Sequence, residues 1–176
     1  MVRALFLSLV VALAGSCSGK NVLEPGTVVG TFRVEGHMQM ATCGDKATAA
    51  DPWIFNVRFS RDLTTLYWLQ NRAPIQGHVG SDRKVRLTTD GTVNVRPATR
   101  TQAACSVTRT DVLEATLGPE EPLGDAGLVG FSSLTGTLSY AFSATEGSDC
   151  SDLMDPSVSV LPCSTVYGVN ATKVGP

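Results

Sequence analysis

The chain has 176 residues, a net charge of −2 and 43% hydrophobic residues. That length is sufficient for one domain with a hydrophobic core. Charges of both signs are scattered without a basic stripe, which argues against nucleic acid as a partner. The sequence also lacks the nucleophile elbow of hydrolases, the zinc-protease helix motif and the phosphate-binding glycine loops. We therefore expect no enzyme activity, no catalytic residues and no cofactor.

The first sixteen residues have the pattern of an export signal. An N-terminal arginine provides a positive charge, and residues 4–14 form an apolar run. A membrane-spanning helix needs about 20 apolar residues, so this run is typical of a signal peptide and too short for a permanent span. The junction Ala14-Gly15-Ser16-Cys17 resembles the lipobox of bacterial lipoproteins. The resemblance implies cleavage after residue 16 and acylation of Cys17 with fatty acids such as palmitate.

A plain secreted protein is the alternative, because Ala14 and Ser16 also suit an ordinary signal-peptidase site. The lipobox family also prefers a leucine one position closer to the cysteine than Leu13. The count of five cysteines favours lipidation, since exported chains pair their thiols and acylation of Cys17 leaves an even number. In the lipoprotein family a residue such as Ser18, in place of Asp, implies release to the outer membrane. We therefore expect an exported protein that its lipid anchors to the outer membrane.

The four remaining cysteines are expected to form two disulfides. They are Cys43, Cys105, Cys150 and Cys163, and four cysteines allow three pairings. We favour Cys43–Cys105 with Cys150–Cys163, because the second pair closes a short local loop and leaves the first to join distant strands.

Apolar and polar residues alternate along most of the chain, which is typical of half-buried strands. No stretch shows convincing helical spacing with caps. Residues 17–28 are predicted to be a lipidated tether, and 29–176 a single domain. Strands are predicted over residues 32–40, 53–59, 65–70, 75–79, 103–117, 134–142 and 161–169, with a polar loop over 118–125. The aromatic residues expected in the core are Trp53, Phe55, Phe59, Trp68, Tyr140 and Phe142.

A hairpin is predicted around Asp90 and Gly91. A three-residue loop from Thr89 to Gly91 pairs Leu87 with Val93 and so keeps these apolar side chains on one face. Such a loop contains a type I turn with Gly91 at positive φ, which forms a bulge.

Arg109 and Asp111 fall on the apolar face of the predicted strand 103–117. They form a buried ion pair or are rotated to solvent by a bulge. Because buried charges are costly unless they are paired, we favour the bulge.

The predicted strands form an antiparallel up-and-down meander of eight or nine strands. Such a sheet avoids exposed edges by closing into a barrel or by folding into a sandwich. Consecutive strands can pair in order here, and the last can return to the first. We therefore predict an all-β fold, a closed or nearly closed barrel of the lipocalin type.

Several short motifs lie in and between these strands. They are Cys43-Gly44, Gly136-Thr137-Leu138-Ser139-Tyr140, Asp149-Cys150, and Leu161-Pro162-Cys163 followed by Tyr167. Together they resemble small uncharacterised lipoproteins of myxobacteria and related Gram-negative bacteria. The resemblance covers most of the mature chain and supports a disulfide-braced barrel, and it implies no catalytic residue.

Metal binding is not expected. Strict alternation places His37 beside Glu35 on a polar face and turns His78 to solvent, so neither histidine is a convincing ligand. The remaining candidates are acidic residues in one loop, whose spacing is not that of an EF-hand and which we interpret as a solvated cluster. They are Glu146, Asp149, Asp152 and Asp155.

The function predicted from these features is that of a non-enzymatic accessory module. A lipid-tethered barrel would bind another protein of the cell envelope, in secretion, motility or envelope assembly, through an exposed apolar patch or long loops gathered at one end. The alternative is a lipocalin-like carrier or sensor of a small apolar ligand, which requires a cavity that opens at one rim. A third hypothesis is an inhibitor of a foreign hydrolase that presents residues 118–127.

Overall fold

The computed structural model describes residues 23–44, 48–70, 73–123, 128–153 and 161–176. They form ten strands and one 3-10 turn at Ser151–Leu153. The strands are β1 (Thr27–Ala41), β2 (Trp53–Asp62), β3 (Thr65–Leu69), β4 (Ile75–His78), β5 (Lys84–Arg96), β6 (Cys105–Leu117), β7 (Glu120–Leu123), β8 (Leu128–Phe131), β9 (Ser133–Ala144) and β10 (Cys163–Gly175). The predicted leader, Cys17 and Asp155 lie outside the described residues. Across the described ranges, no helix has the length and apolar character needed to cross a membrane.

Eight of the strands form one antiparallel sheet in the order β4-β3-β2-β1-β10-β9-β6-β5. Each strand pairs with its neighbour in the chain, except that the β7–β8 hairpin is inserted between β6 and β9. The last strand returns to the first, in a register that runs from Thr31 opposite Gly175 to Ala41 opposite Thr165. The predicted all-β meander is therefore confirmed, with β1 beginning two residues before the predicted domain boundary at residue 29.

The sheet is nearly closed into a barrel, and the seam lies between β4 and β5. Val79 bridges Val85, and the amide of Gly80 donates to the carbonyl of Lys84 at 2.8 Å. A Cβ atom on Gly77 would lie 2.2 Å from the carbonyl oxygen of Arg86. The two strands can approach this closely because residue 77 has no side chain.

The inner face of the barrel is filled by its own side chains, as the alternation predicts. In β1, Phe32 and Val34 are buried while Glu35 is exposed. The centre keeps a void of only about 10 Å³, which is lined by apolar side chains and lies at the lower limit for one water molecule. Phe131, carried by the β7–β8 hairpin, stacks on Phe32 with ring centroids 4.8 Å apart. The hairpin therefore caps one end of the barrel.

The two ends of the barrel differ in their connections. We call the tether end the one at which β1 begins and which carries the turn 63–64, the turn 79–83 and the β7–β8 hairpin. We call the loop end the opposite one, at which the connections 42–52, 70–74, 97–104 and 145–162 lie. Three of these are longer than either turn of the tether end. Long loops are thus gathered at one end, as the accessory-module hypothesis requires.

The favoured cysteine pairing is wrong. The disulfides are Cys43–Cys163 and Cys105–Cys150. The first follows from the strand order, because Ala41 lies opposite Thr165 and the next positions along the two strands bring residues 43 and 163 together. In the second, residues 145–150 fold back so that the amide of Asp149 donates to the carbonyl of Ala104 at 2.9 Å. Two disulfides are compatible with an exported protein in an oxidising compartment.

The predicted hairpin at Asp90-Gly91 is also wrong. β5 runs straight through this dipeptide, with Asp90 opposite Thr110 and Gly91 opposite Arg109. The odd-numbered residues from Val85 onward already share one face of a straight strand, so no turn is needed to align them. The 118–125 segment is likewise not a simple loop, because β7 occupies Glu120–Leu123.

The bulge favoured at Arg109 and Asp111 does not occur. The β6–β9 register is continuous from Val107 to Leu117 and keeps both side chains on the inner face. They form an ion pair with Arg109 Nε 2.5 Å from Asp111 Oδ1. The pair does not carry the desolvation penalty of deep burial, because it lies at the mouth of the loop end, where the Arg109 side chain is 49% exposed.

Replacing both Cys43 and Cys163 by alanine is expected to lower the free energy of unfolding by about 2–5 kcal/mol, because the disulfide limits the freedom of the unfolded chain. Denaturant unfolding measures this change.

Peptide mapping without reduction is expected to recover the Cys43–Cys163 and Cys105–Cys150 peptides. Recovery of a Cys43–Cys105 peptide would contradict the strand order.

Candidate binding site at the loop end

A pocket of about 330 Å³ opens at the mouth of the loop end. Strands β2, β6, β9 and β10 supply its walls, and the β1–β2 connection forms its rim. The lining residues are Thr48, Ala49, Trp53, Arg109, Tyr140, Phe142 and Tyr167. Most of the lining is therefore aromatic, with one cation among the rings.

Arg109 is held between an acid and an aromatic ring. Its guanidinium donates to both oxygens of Asp111, from Nε at 2.5 Å and from Nη2 at 2.8 Å. The same group lies 4.4 Å from the centre of the Tyr140 ring, a cation–π distance. The cation is therefore fixed in orientation before any ligand arrives.

The phenol of Tyr140 stays protonated well into the alkaline range. Burial raises its pKa above the ordinary value of 10, and the Asp111 carboxylate raises it further, against the opposite effect of Arg109. The Tyr140 hydroxyl is consequently a hydrogen-bond donor at neutral pH.

Trp53 and Tyr167 form the inner part of the pocket. The Trp53 ring lies 5.3 Å from that of Tyr167 and 5.8 Å from that of Tyr140. The Tyr167 hydroxyl accepts the amide of Ala49 at 2.7 Å, which joins the β1–β2 connection to the mouth. Beside Tyr140 in the β9–β10 ladder, the buried hydroxyl of Thr165 has no hydrogen-bond partner among the described atoms.

An ion pair and backbone hydrogen bonds, in addition to the disulfides, hold the loops around the pocket. Arg96, at the end of β5, pairs with Asp152 and donates through Nη2 to the carbonyls of Ala103 and Asp149, at 3.1 and 2.9 Å. The Thr42 amide donates to the carbonyl of Ser164 at 2.8 Å. The described parts of the 97–104 and 145–162 connections are therefore held to each other, and the start of the 42–52 connection is held to β10.

The other residues considered as ligands do not come together. His37 is exposed, with Nε2 3.2 Å from Glu35 Oε1 and Nδ1 3.2 Å from Asp51 Oδ1. His78 is on β4 at the tether end, three strands away from His37. Asp152 pairs with Arg96, and the Asp149 carboxylate accepts from the Ser151 hydroxyl at 2.6 Å. Among the described side chains, no group of three histidines, cysteines or acids could hold a metal ion.

The chain matches no protein-family model, and no curated protein or solved structure is significantly similar to it. The resemblance to myxobacterial lipoproteins remains a prediction.

The sequence predicts most residues of this site but not their arrangement. Alternation predicts Trp53 and Tyr140 in the core, and the place of Arg109 on the apolar face is the signal that a charge enters the mouth. Tyr167 stands in the sequence only as part of a motif, and its contact with Ala49 depends on a loop whose course no local pattern predicts.

The substitution Asp111→Asn is expected to lower the pKa of Tyr140, because it removes the negative charge that opposes ionisation and leaves Arg109, which favours it. The tyrosinate signal in a pH titration, assigned with Tyr140→Phe, measures the change. Glu114→Gln, on the outer wall beside Arg86, is the control and should leave the pKa of Tyr140 as it was. An equal pKa in the Asp111→Asn and parent proteins would contradict the effect of the Asp111 carboxylate.

Proposed function

We propose that this chain is an outer-membrane lipoprotein, anchored through Cys17, that binds another envelope protein through its loop end without catalysing a reaction. The observation that carries this proposal is the gathering of the longest connections at one end, where each disulfide ties one connection to the first residue of a strand. β1, the first strand after the anchor, begins at the opposite end. We therefore expect the loop end to face away from the membrane.

The bracing of the loop end supports a binding role. A surface that is rigid before association loses less conformational entropy when a partner binds. Aromatic and arginine side chains in a pocket are also the residue types that carry most of the affinity in protein interfaces. Trp53, Tyr140 and Arg109 bring these types together at the centre of the loop end.

A second candidate is the capture of a small, largely apolar ligand. The mouth pocket, at about 330 Å³, lies within the range of small-molecule sites, whereas the barrel centre is filled. On this hypothesis the ligand sits at the rim on the aromatic rings, and not in a central cavity as in a hollow carrier.

The variant Arg109→Ala is expected to weaken partner binding about tenfold or more, because it removes an oriented cation from the centre of the pocket. Binding to the partner recovered by cross-linking in native membranes measures the loss. Arg86→Ala is the matched control, since Arg86 is also a half-exposed arginine in an ion pair with a neighbouring strand, but on the outer wall. Equal loss in both variants, or in neither, would contradict a binding site at the loop end.

The substitution Cys17→Ala is expected to abolish acylation of the protein, because no acyl chain can then be attached. Incorporation of a labelled fatty acid in cells measures the acylation, with the parent protein as the positive control. Equal labelling of the variant and the parent protein would contradict lipidation at Cys17.

A further inference from the structure

Two residues at the tether end have a backbone conformation that their side chains disfavour. Leu63 has φ of 51° and Arg83 has φ of 62°, and they are the only residues other than glycine with positive φ in the described ranges. Leu63 is in the turn between β2 and β3, and Arg83 is in the turn between β4 and β5. Glycine or asparagine adopts this conformation at lower cost.

The side chains at these two positions are of kinds that a lipid surface binds. Leu63 is 77% exposed at the tip of its turn, and its carbonyl accepts from Arg61 Nε at 2.8 Å, which holds the tip in place. Arg83 donates to the carbonyl of Gly118 at 3.1 Å, and no carboxylate of a described residue lies within 4.0 Å of it. One turn therefore presents a large apolar side chain and the other an uncompensated cation.

A pocket of about 500 Å³ lies between the two turns. Its lining includes the cations of Arg61 and Arg83 and the hydroxyls of Thr64 and Ser81. Glu120 is the one acid of the lining, and its Oε1 lies 3.9 Å from Nη1 of Arg61. The nearby Asp82 is paired with Lys84 at 3.2 Å. A cationic and hydroxylated pocket of this kind suits a phosphate group.

The N-terminal segment limits the distance between the barrel and the membrane. Gly26, at φ of 74°, turns the chain back along the outer face of β2, where the Ser60 hydroxyl donates to the carbonyl of Pro25 at 2.5 Å. Cys17 lies only six residues before Leu23, and so few residues span at most about 20 Å. Val174, which is more than half exposed, adds apolar surface at the tether end.

We propose that the tether end is a lipid-binding surface, in which Leu63 enters the membrane interface and Arg83 binds the phosphate of a lipid headgroup. This proposal rests on the proposed function only for the anchor at Cys17, which brings the surface to the bilayer. It accounts for an apolar and a cationic side chain at two positions whose positive φ glycine or asparagine would adopt at a lower conformational energy.

The test uses the polypeptide 18–176, which contains every described residue and carries neither leader nor acyl chain. Co-sedimentation measures its partition onto phosphatidylcholine vesicles with and without phosphatidylglycerol. Leu63→Asn is expected to lower the partition coefficient about tenfold on both kinds of vesicle, because the variant has no leucine side chain to transfer from water into the membrane interface. Arg83→Asn is expected to lower it about fivefold on the anionic vesicles alone.

Neither substitution should lower the melting temperature, because asparagine accepts the left-handed backbone more readily than leucine or arginine. Val93→Asn is the control, since Val93 is 64% exposed but lies at the loop end, and it should leave the partition unchanged. An absence of vesicle binding, an equal loss in the Val93 variant, or binding of inorganic phosphate without vesicle binding would overturn the proposal. Because this polypeptide is unlipidated, such a failure would leave acylation of Cys17 untouched.

Discussion

The pairing of β10 with β1 is the interaction on which the rest of the structure depends. It joins the last strand to the first over a ladder from Thr31 to Ala41 and places Tyr167, Val169 and Ala171 in the core. Without it, two strands would present unpaired edges to solvent, and the inner face could not be enclosed. The same ladder, continued past Ala41, brings Cys43 to Cys163. The disulfide therefore extends a pairing that burial of the inner face already stabilises.

Closure also determines what each end of the barrel can do. Because the strands alternate in direction, the start of β1 and the two tight turns share one end, and the long connections share the other. The centre is packed, and Phe131 caps the tether end from inside. Exposed apolar side chains are found toward the ends, with Leu63 and Val129 at one and Met38 and Val93 at the other. Both binding functions that we propose are therefore at the ends of the barrel.

The sequence predicted what depends on alternation and missed what depends on contacts between distant segments. The inward positions of β1 and β2, the outward position of His78 and the meander itself follow from a period of two, because one face of each strand is buried. The hairpin predicted at Asp90-Gly91 is wrong because the turn preference of this dipeptide is weaker than its pairing with Arg109 and Thr110 of β6. The predicted cysteine pairing is wrong because the β1–β10 ladder, continued past Ala41, brings Cys43 to Cys163. The placement of Arg109 over Tyr140 depends on the register between β6 and β9, which the pattern within one strand does not predict.

The intact mass of the protein, purified gently from its own membranes, tests the tethered barrel most directly. We predict the mass of the polypeptide from Cys17 to Pro176, increased by a diacyl or triacyl group and reduced by four hydrogens for two disulfides. That mass would show that the chain carries an anchor and that both disulfides are formed. A mass without acyl groups, or one with free thiols in the described cysteines, would contradict a tethered barrel with a disulfide-braced loop end.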